Sequence, residues 1–150
     1  MTTEEAQITN STSVMLTTVA GDEYAIGYVS LGSLDDSVKA VKIDGAEATA
    51  ENIKNGSYKV SRPFNIATKK GLDNEVAKDF INFIMSKEGQ EVVAENGYIG
   101  DDSAAAFSGS NPSGKVVVGG SSSVSPVMEK LIEAYKACLL YTSDAADEGL

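Results

Sequence analysis

The residues best suited to chemistry are Gly119-Gly-Ser-Ser-Ser-Val-Ser-Pro126. Two glycines let the backbone turn tightly after a strand, and three consecutive serines offer hydroxyl donors. The helix that follows adds unpaired N–H groups that carry about half a positive charge at its start. Together these make an anion site, with Ser121, Ser122 and Ser123 as donors. Neutral donors suit a chain whose 22 Asp plus Glu outnumber its 12 Lys plus Arg, for a formal charge of −10. Binding then rests on directed dipoles and not on a basic surface. The same pattern also fits an N-capped strand-to-helix turn that binds nothing, and the residues alone leave both readings open.

Other candidate motifs are weaker. Gly109-Ser-Asn-Pro-Ser-Gly-Lys115 matches the first seven positions of a nucleotide-binding P-loop. Val116 stands where that loop needs a Mg²⁺-binding Ser or Thr, and the loop leads into a strand instead of a helix. Arg62, the sole arginine, has the geometry to clamp an anion, but a surface ion pair is its expected role. Asp35-Asp36 and Asp101-Asp102 lack the spacing of a calcium loop and read as solvated turns. The sequons at Asn10 and Asn55 carry little weight. With no histidine there is no imidazole base and no Ser-His-Asp or Cys-His nucleophile, so the chain reads as non-enzymatic, without metal or cofactor. Cys138, alone, has no internal disulfide partner.

The elements that must position the serine loop follow from pattern. Lys115-Val-Val-Val118 is a short buried-strand signal, and Val127, Met128, Leu131, Ile132 and Tyr135 lie on one face of the following helix. Ser125 is its expected N-cap, with Pro126 at the first helical position. Upstream, a short helix runs from a Ser11 cap to Gly21, where a residue of positive φ belongs. Tyr24 to Val29 and Val38 to Ile43 read as strands, and Asp44-Gly45 as the turn after them. Thr49 opens another helix, and Val60 to Thr68 is extended, bulged or at an edge where Pro63 lacks its N–H. The clearest helix starts at Asp73 and turns Val76, Phe80, Phe83 and Ile84 toward a core. Glu88 to Asn96 extends or follows it, with Gly97 as the stop.

Residues 100–114 are of a different composition: eleven of these fifteen are Gly, Ser, Asp, Asn or Pro, which predicts a flexible linker. Residues 138–150 carry three acids and no base and resemble the in-frame translation of a transposon-end sequencing adapter. They are read as a non-native tail, outside the fold. The negative charge disfavours nucleic acid and anionic lipid, and no run reaches the ~20 apolar residues of a membrane span, so no membrane insertion by this chain is expected. Met1 to Glu5 has no apolar leader; any export signal would lie outside this chain.

Several stretches carry a family resemblance. Ala25-Ile-Gly-Tyr-Val-Ser-Leu-Gly32, Val38-Lys-Ala-Val-Lys-Ile-Asp-Gly45 and Tyr58-Lys-Val-Ser-Arg-Pro-Phe-Asn-Ile-Ala-Thr68 resemble the later part of the phosphate-binding proteins of bacterial ABC transporters (PstS). Asp79-Phe-Ile-Asn-Phe-Ile-Met-Ser-Lys-Glu-Gly89 and Asn96-Gly-Tyr-Ile99 are similar to that family's closing helices. Gly114 to Leu131 resembles its opening strand, anion loop and first helix.

The resemblance implies an α/β fold of the type II periplasmic-binding class, here as a partial lobe with a mixed sheet flanked by helices. Residues 1–99 would be the C-terminal part of a first PBP-like unit, 100–114 a linker, and 115–137 the opening strand, loop and helix of a second. An alternative arrangement has Val116–Val118 join the sheet beside Phe64–Thr68, as in a circular permutant. The implied function is the solute-binding component of a phosphate importer, extracytoplasmic, periplasmic or cell-surface and with a lipid anchor as one form in the parent protein. Its partners would be inorganic phosphate and the permease subunits. An adhesion or signalling module on the same scaffold is the alternative. In the family the opening loop supplies a hydroxyl and backbone amides to the anion, which maps onto Ser121, Ser122 and Ser123, with Ser122 the leading hydroxyl. The family's arginine with its Ser-Gly-Thr turn, and its proton-accepting acid, have no counterpart in these 150 residues. Phosphate binding by this chain itself is therefore expected to be weak or undetectable.

Overall fold

A computed structural model describes residues 3–147, with side chains described through Leu139. The order is α1 (Thr12–Ala20), a single 3-10 turn (Leu31–Ser33), α2 (Ala50–Lys54), α3 (Glu75–Ile84), α4 (Lys87–Glu95) and α5 (Ser125–Asp147). The first four helices begin where a short polar side chain takes an orphan amide. Ser11 accepts from Val14, Thr49 from Asn52, Asn74 from Ala77 and Ser86 from Gly89. Asn74, not Asp73, caps α3; Asp73 instead faces the Lys78 ammonium at 3.7 Å. Gly21 sits at φ −87°, so the left-handed ending expected for α1 is not used. Gly56 and Gly97, at φ +77° and +79°, turn the chain out of α2 and α4 instead. Asp44 and Gly45 make the expected tight turn, both at positive φ, and Ile43 and Ala46 exchange hydrogen bonds of 2.9 Å across it.

The core lies between α3, α4 and α5. Phe80, Phe83 and Ile84 of α3 meet Val127, Leu131 and Tyr135 of α5, and Tyr98 closes the cluster just past α4. The spacing of four along α5 puts its three residues on one stripe. Phe83 is wholly buried, its ring 5.2 Å from Phe107 and 5.5 Å from Tyr135. Each such side chain contributes roughly 1.5–3 kcal/mol through burial. Gly89 lets α4 cross the end of α3: a Cβ there would strike the Phe83 and Ile84 carbonyls. The segment from Phe80 to Tyr98 and α5 thus share one core.

The expected mixed sheet is not formed among the described residues, which hold one isolated bridge, Ile43 to Ala46. Residues 24–29, 60–68 and 115–118 have no ladder partner. The physical reason is that strands are satisfied only by a neighbouring strand, and none of these segments pairs with another. Val116–Val118 does not add to Phe64–Thr68. Along 24–29 one side turns toward α1, with Gly27 against Met15 and Val19. The other side leaves Tyr24, Ile26 and Tyr28 at 88%, 87% and 82% exposure.

The segment 100–114, expected as a linker, has no regular structure but is held at several points. Ala105 accepts the Lys87 amide at 2.7 Å, and Phe107 donates its amide to Glu88 at 2.7 Å while its ring packs on the core. Ser110 donates its amide to Asp79 at 2.9 Å. The apolar side chain at 107 and the buried acid at 79 outweigh the flexible composition around them. α5 continues through Cys138 to Asp147, and Cys138 and Leu139 lie against the core; residues 148–150 of the expected tail fall outside the described residues.

Candidate functional site

The serine loop stands at the start of α5, as the sequence requires, but one residue out of the expected register. Ser125 is the first helical residue and Pro126 the second, where a missing N–H still costs no helical hydrogen bond. The Met128 amide donates to the Val124 carbonyl at 3.0 Å, which makes Val124 the residue before the first helical turn. The loop folds on itself: the Ser121 carbonyl accepts the amides of Val124 and Ser125 at 2.9 and 3.2 Å. The Ser121 and Ser123 hydroxyls pair at 3.0 Å. Two amides and two hydroxyls that the sequence offers to an anion are therefore engaged within the turn.

Ser122 is directed elsewhere. Its Oγ lies 3.2 Å from Thr12 Oγ1 and donates to the Asn10 carbonyl at 3.3 Å. The starts of α1 and α5 thus meet across the Thr12–Ser122 pair, and a cleft of about 330 Å³ opens between them. Ser11, Thr12, Ser13, Gly32, Ser33 and Ser122 line it together with Leu16 and Pro126. None of these side chains is charged. Two helix dipoles with their positive ends at one small cleft, ringed by hydroxyls, favour an anion without a cationic residue.

Of the three serines predicted as ligands, the structure brings Ser122 to the cleft, while Ser121 and Ser123 stand beside it. Ser11, Thr12 and Ser13 were not foreseen as part of a site. Ser11 is legible as a helix cap, but the approach of Thr12 beside it to Ser122 depends on tertiary packing across 110 positions of chain.

The loop is also tied from behind. Tyr98, buried just beyond α4, donates its hydroxyl to the Ser123 carbonyl at 2.7 Å. Its ring stands edge-on to Phe64 at 5.6 Å and lies against Gly32, where a Cβ would enter the ring.

The remaining candidates fall outside this cleft. Arg62 stacks over Phe64 at 5.6 Å and, among the described residues, joins no ion pair; the expected surface pair is replaced by a cation–π contact. Asp35 is held by the hydroxyl and amide of Ser37, which keep its carboxyl below the ordinary carboxylate range. Asp101 is held in the same way by Ser103. Asp102 pairs with Lys54 at 2.5 Å. Among the described residues no three His, Cys, Asp or Glu side chains gather as a metal site.

Comparison with known proteins makes the likeness seen in the sequence specific. No protein-family model matches the chain. It is 63% identical over 134 residues to the phosphate-binding protein PstS 2 of Streptococcus agalactiae, covering 89% of this chain and 46% of that protein. It is 47% identical over 136 residues to PstS 2 of Streptococcus pneumoniae, covering 90% and 46%. Among solved structures, a phosphate-binding protein of a phosphate ABC transporter from Streptococcus pneumoniae superposes with a TM-score of 0.68 at 47% identity, over 91% of this chain and 53% of that one. A putative phosphate ABC transporter substrate-binding protein from Clostridium perfringens, with bound phosphate, gives 0.62 at 48% identity, over 67% and 41%. The chain is PstS-like, as its motifs indicate, and the neighbours' fold is the α/β type II periplasmic-binding class. It spans about half the length of the curated relatives it matches.

Proposed function

We propose that this chain is part of the phosphate-binding component of an ABC-type phosphate importer, working outside the cytoplasmic membrane. That component is non-catalytic and hands its ligand to the permease. The observation that carries the reading is the uncharged cleft where Ser122 and Thr12, 3.2 Å apart, bring two helix starts together. Such a cleft suits a small tetrahedral oxyanion held by hydroxyl and amide donors. The Clostridium perfringens neighbour, with its bound phosphate, supports the choice of anion. Phosphate would enter by displacing the Ser121–Ser123 and Thr12–Ser122 hydrogen bonds, which leaves those hydroxyls free to donate to its oxygens.

The parts of the chain belong, in this reading, to one receptor unit in permuted order. A match of 134 residues within 150 must contain residues 17–134, so it runs unbroken through the expected linker into the serine loop. The shared core of α3, α4 and α5 supports the same arrangement. In the whole protein, residues 24–29, 60–68 and 115–118 would be strands of a mixed sheet. With no cation at the cleft, this chain by itself binds phosphate weakly.

Phosphate-31 line broadening on titration tests the assignment. The wild-type chain broadens the inorganic phosphate signal and Ser122→Ala does not. Equal broadening by both would overturn the role given to the loop.

A further inference from the structure

We infer that Tyr98 is the positioning residue of the phosphate loop, an inference that rests on the reading proposed above. Its hydroxyl is the one donor, among the described residues, on the Ser123 carbonyl, at 2.7 Å. That carbonyl sits in the middle of the turn whose ends are joined by the Ser121 carbonyl and the Val124 and Ser125 amides. A free carbonyl would repel an oxyanion; the Tyr98 hydroxyl engages this one and fixes its direction.

The ring is placed to do this with little freedom. Tyr98 is 8% exposed, and its amide is bound to the Val93 carbonyl at 3.2 Å as the chain leaves α4. Phe64 meets the ring edge-on, and Gly32, itself a lining residue of the cleft, closes its other flank. One side chain thus touches the end of α4, the Phe64 segment, the 3-10 turn and the serine loop. A shift in any of these reaches Ser123 through a single hydrogen bond.

Tyr98→Phe removes the hydroxyl and keeps the ring, so the core stays filled. Amide exchange is read on the wild-type and variant chains, and phosphate affinity is read by titration with millimolar inorganic phosphate. Exchange at Val124 and Ser125 should quicken, with α3 unchanged, and phosphate affinity should fall about five-fold, the value of one ordinary hydrogen bond. Tyr98→Leu, which also loses the ring, should lower affinity at least as far. Unchanged loop exchange and unchanged affinity in Tyr98→Phe would overturn the inference while leaving the phosphate reading intact. A wild-type chain that shows no response to phosphate overturns the phosphate reading, and this inference with it.

Discussion

The Tyr135 hydroxyl on α5 donates to the Asp79 carboxylate on α3 at 2.7 Å, and both residues are buried. The second face of Asp79 takes the amide and hydroxyl of Ser110 at 2.9 and 3.2 Å. A buried carboxylate is tolerated because three donors replace its water. One acid therefore ties α3, the 100–114 segment and α5 together, and through α5 it sets where the serine loop stands.

Asp79→Ala should destabilise the chain by about 2–5 kcal/mol, since the Tyr135 hydroxyl and the Ser110 amide both lose their acceptor. Tyr135→Phe should cost about 1.5–3 kcal/mol, the range for a hydrogen bond to a charged group. Urea unfolding with unchanged slope checks both. A cost for Asp79→Ala no larger than that of an exposed acid would show that the clamp is not formed.

Alkali should loosen the same contact. Burial pushes the Tyr135 phenol above its ordinary value, and the hydrogen bond and negative charge of Asp79 push it the same way. Above the free phenol's pKa of about 10 the unfolded chain releases a proton that the folded chain keeps. This stability is therefore complete below that pH and is lost as pH rises above it. Comparison of wild-type and Tyr135→Phe unfolding from neutral pH to pH ~11 should show a shallower decline in the variant.

Acid acts at the other anchor. Glu88 is held below the ordinary carboxylate range by its own backbone amide and by the Phe107 amide. A depressed carboxylate stabilises the fold above its unfolded pKa, about 4.3, and that contribution fades as pH falls through the folded value. Glu88→Gln should flatten the acid limb of a stability-versus-pH curve, with the Phe107 amide exchanging faster at neutral pH.

Core and open face should respond in opposite ways. Leu131→Ala removes a buried side chain shared by α5 and α3 and should cost about 2–5 kcal/mol. Ile26→Ser, on the open side of 24–29, should change the stability of this chain by no more than about 0.5 kcal/mol. Thermal unfolding distinguishes them. A large loss from Ile26→Ser would mean that this face is covered in solution.

Much of the helical half was legible in sequence because local physics determines it. The Phe80, Phe83, Ile84 stripe, the Ser11 and Thr49 caps and the Asp44-Gly45 turn are written in a few consecutive residues. The α3 cap moved by one position because Asp73 and Asn74 are both competent acceptors, and only the relation of the helix to its core chooses between them. The strands were read from β-branched composition, which states a preference but supplies no partner, and here 24–29, 60–68 and 115–118 remain unpaired. The anchoring of 100–114 was hidden because composition averages over Phe107 and Ser110, two of the residues that hold it. Ser122 was singled out by its motif; its neighbour Thr12 was not, since nothing near it in sequence points across the cleft.

The role of the serine loop is tested most directly by an amide-resolved NMR titration of the wild-type chain with inorganic phosphate. Saturable shifts should gather at Ser121–Ser125 and at Thr12–Val14, the two helix starts that face the cleft, with the α3–α4 core unmoved. Shifts that gather instead around Arg62 or the Lys69-Lys70 pair, or an absence of any saturable response, would contradict phosphate recognition by this loop.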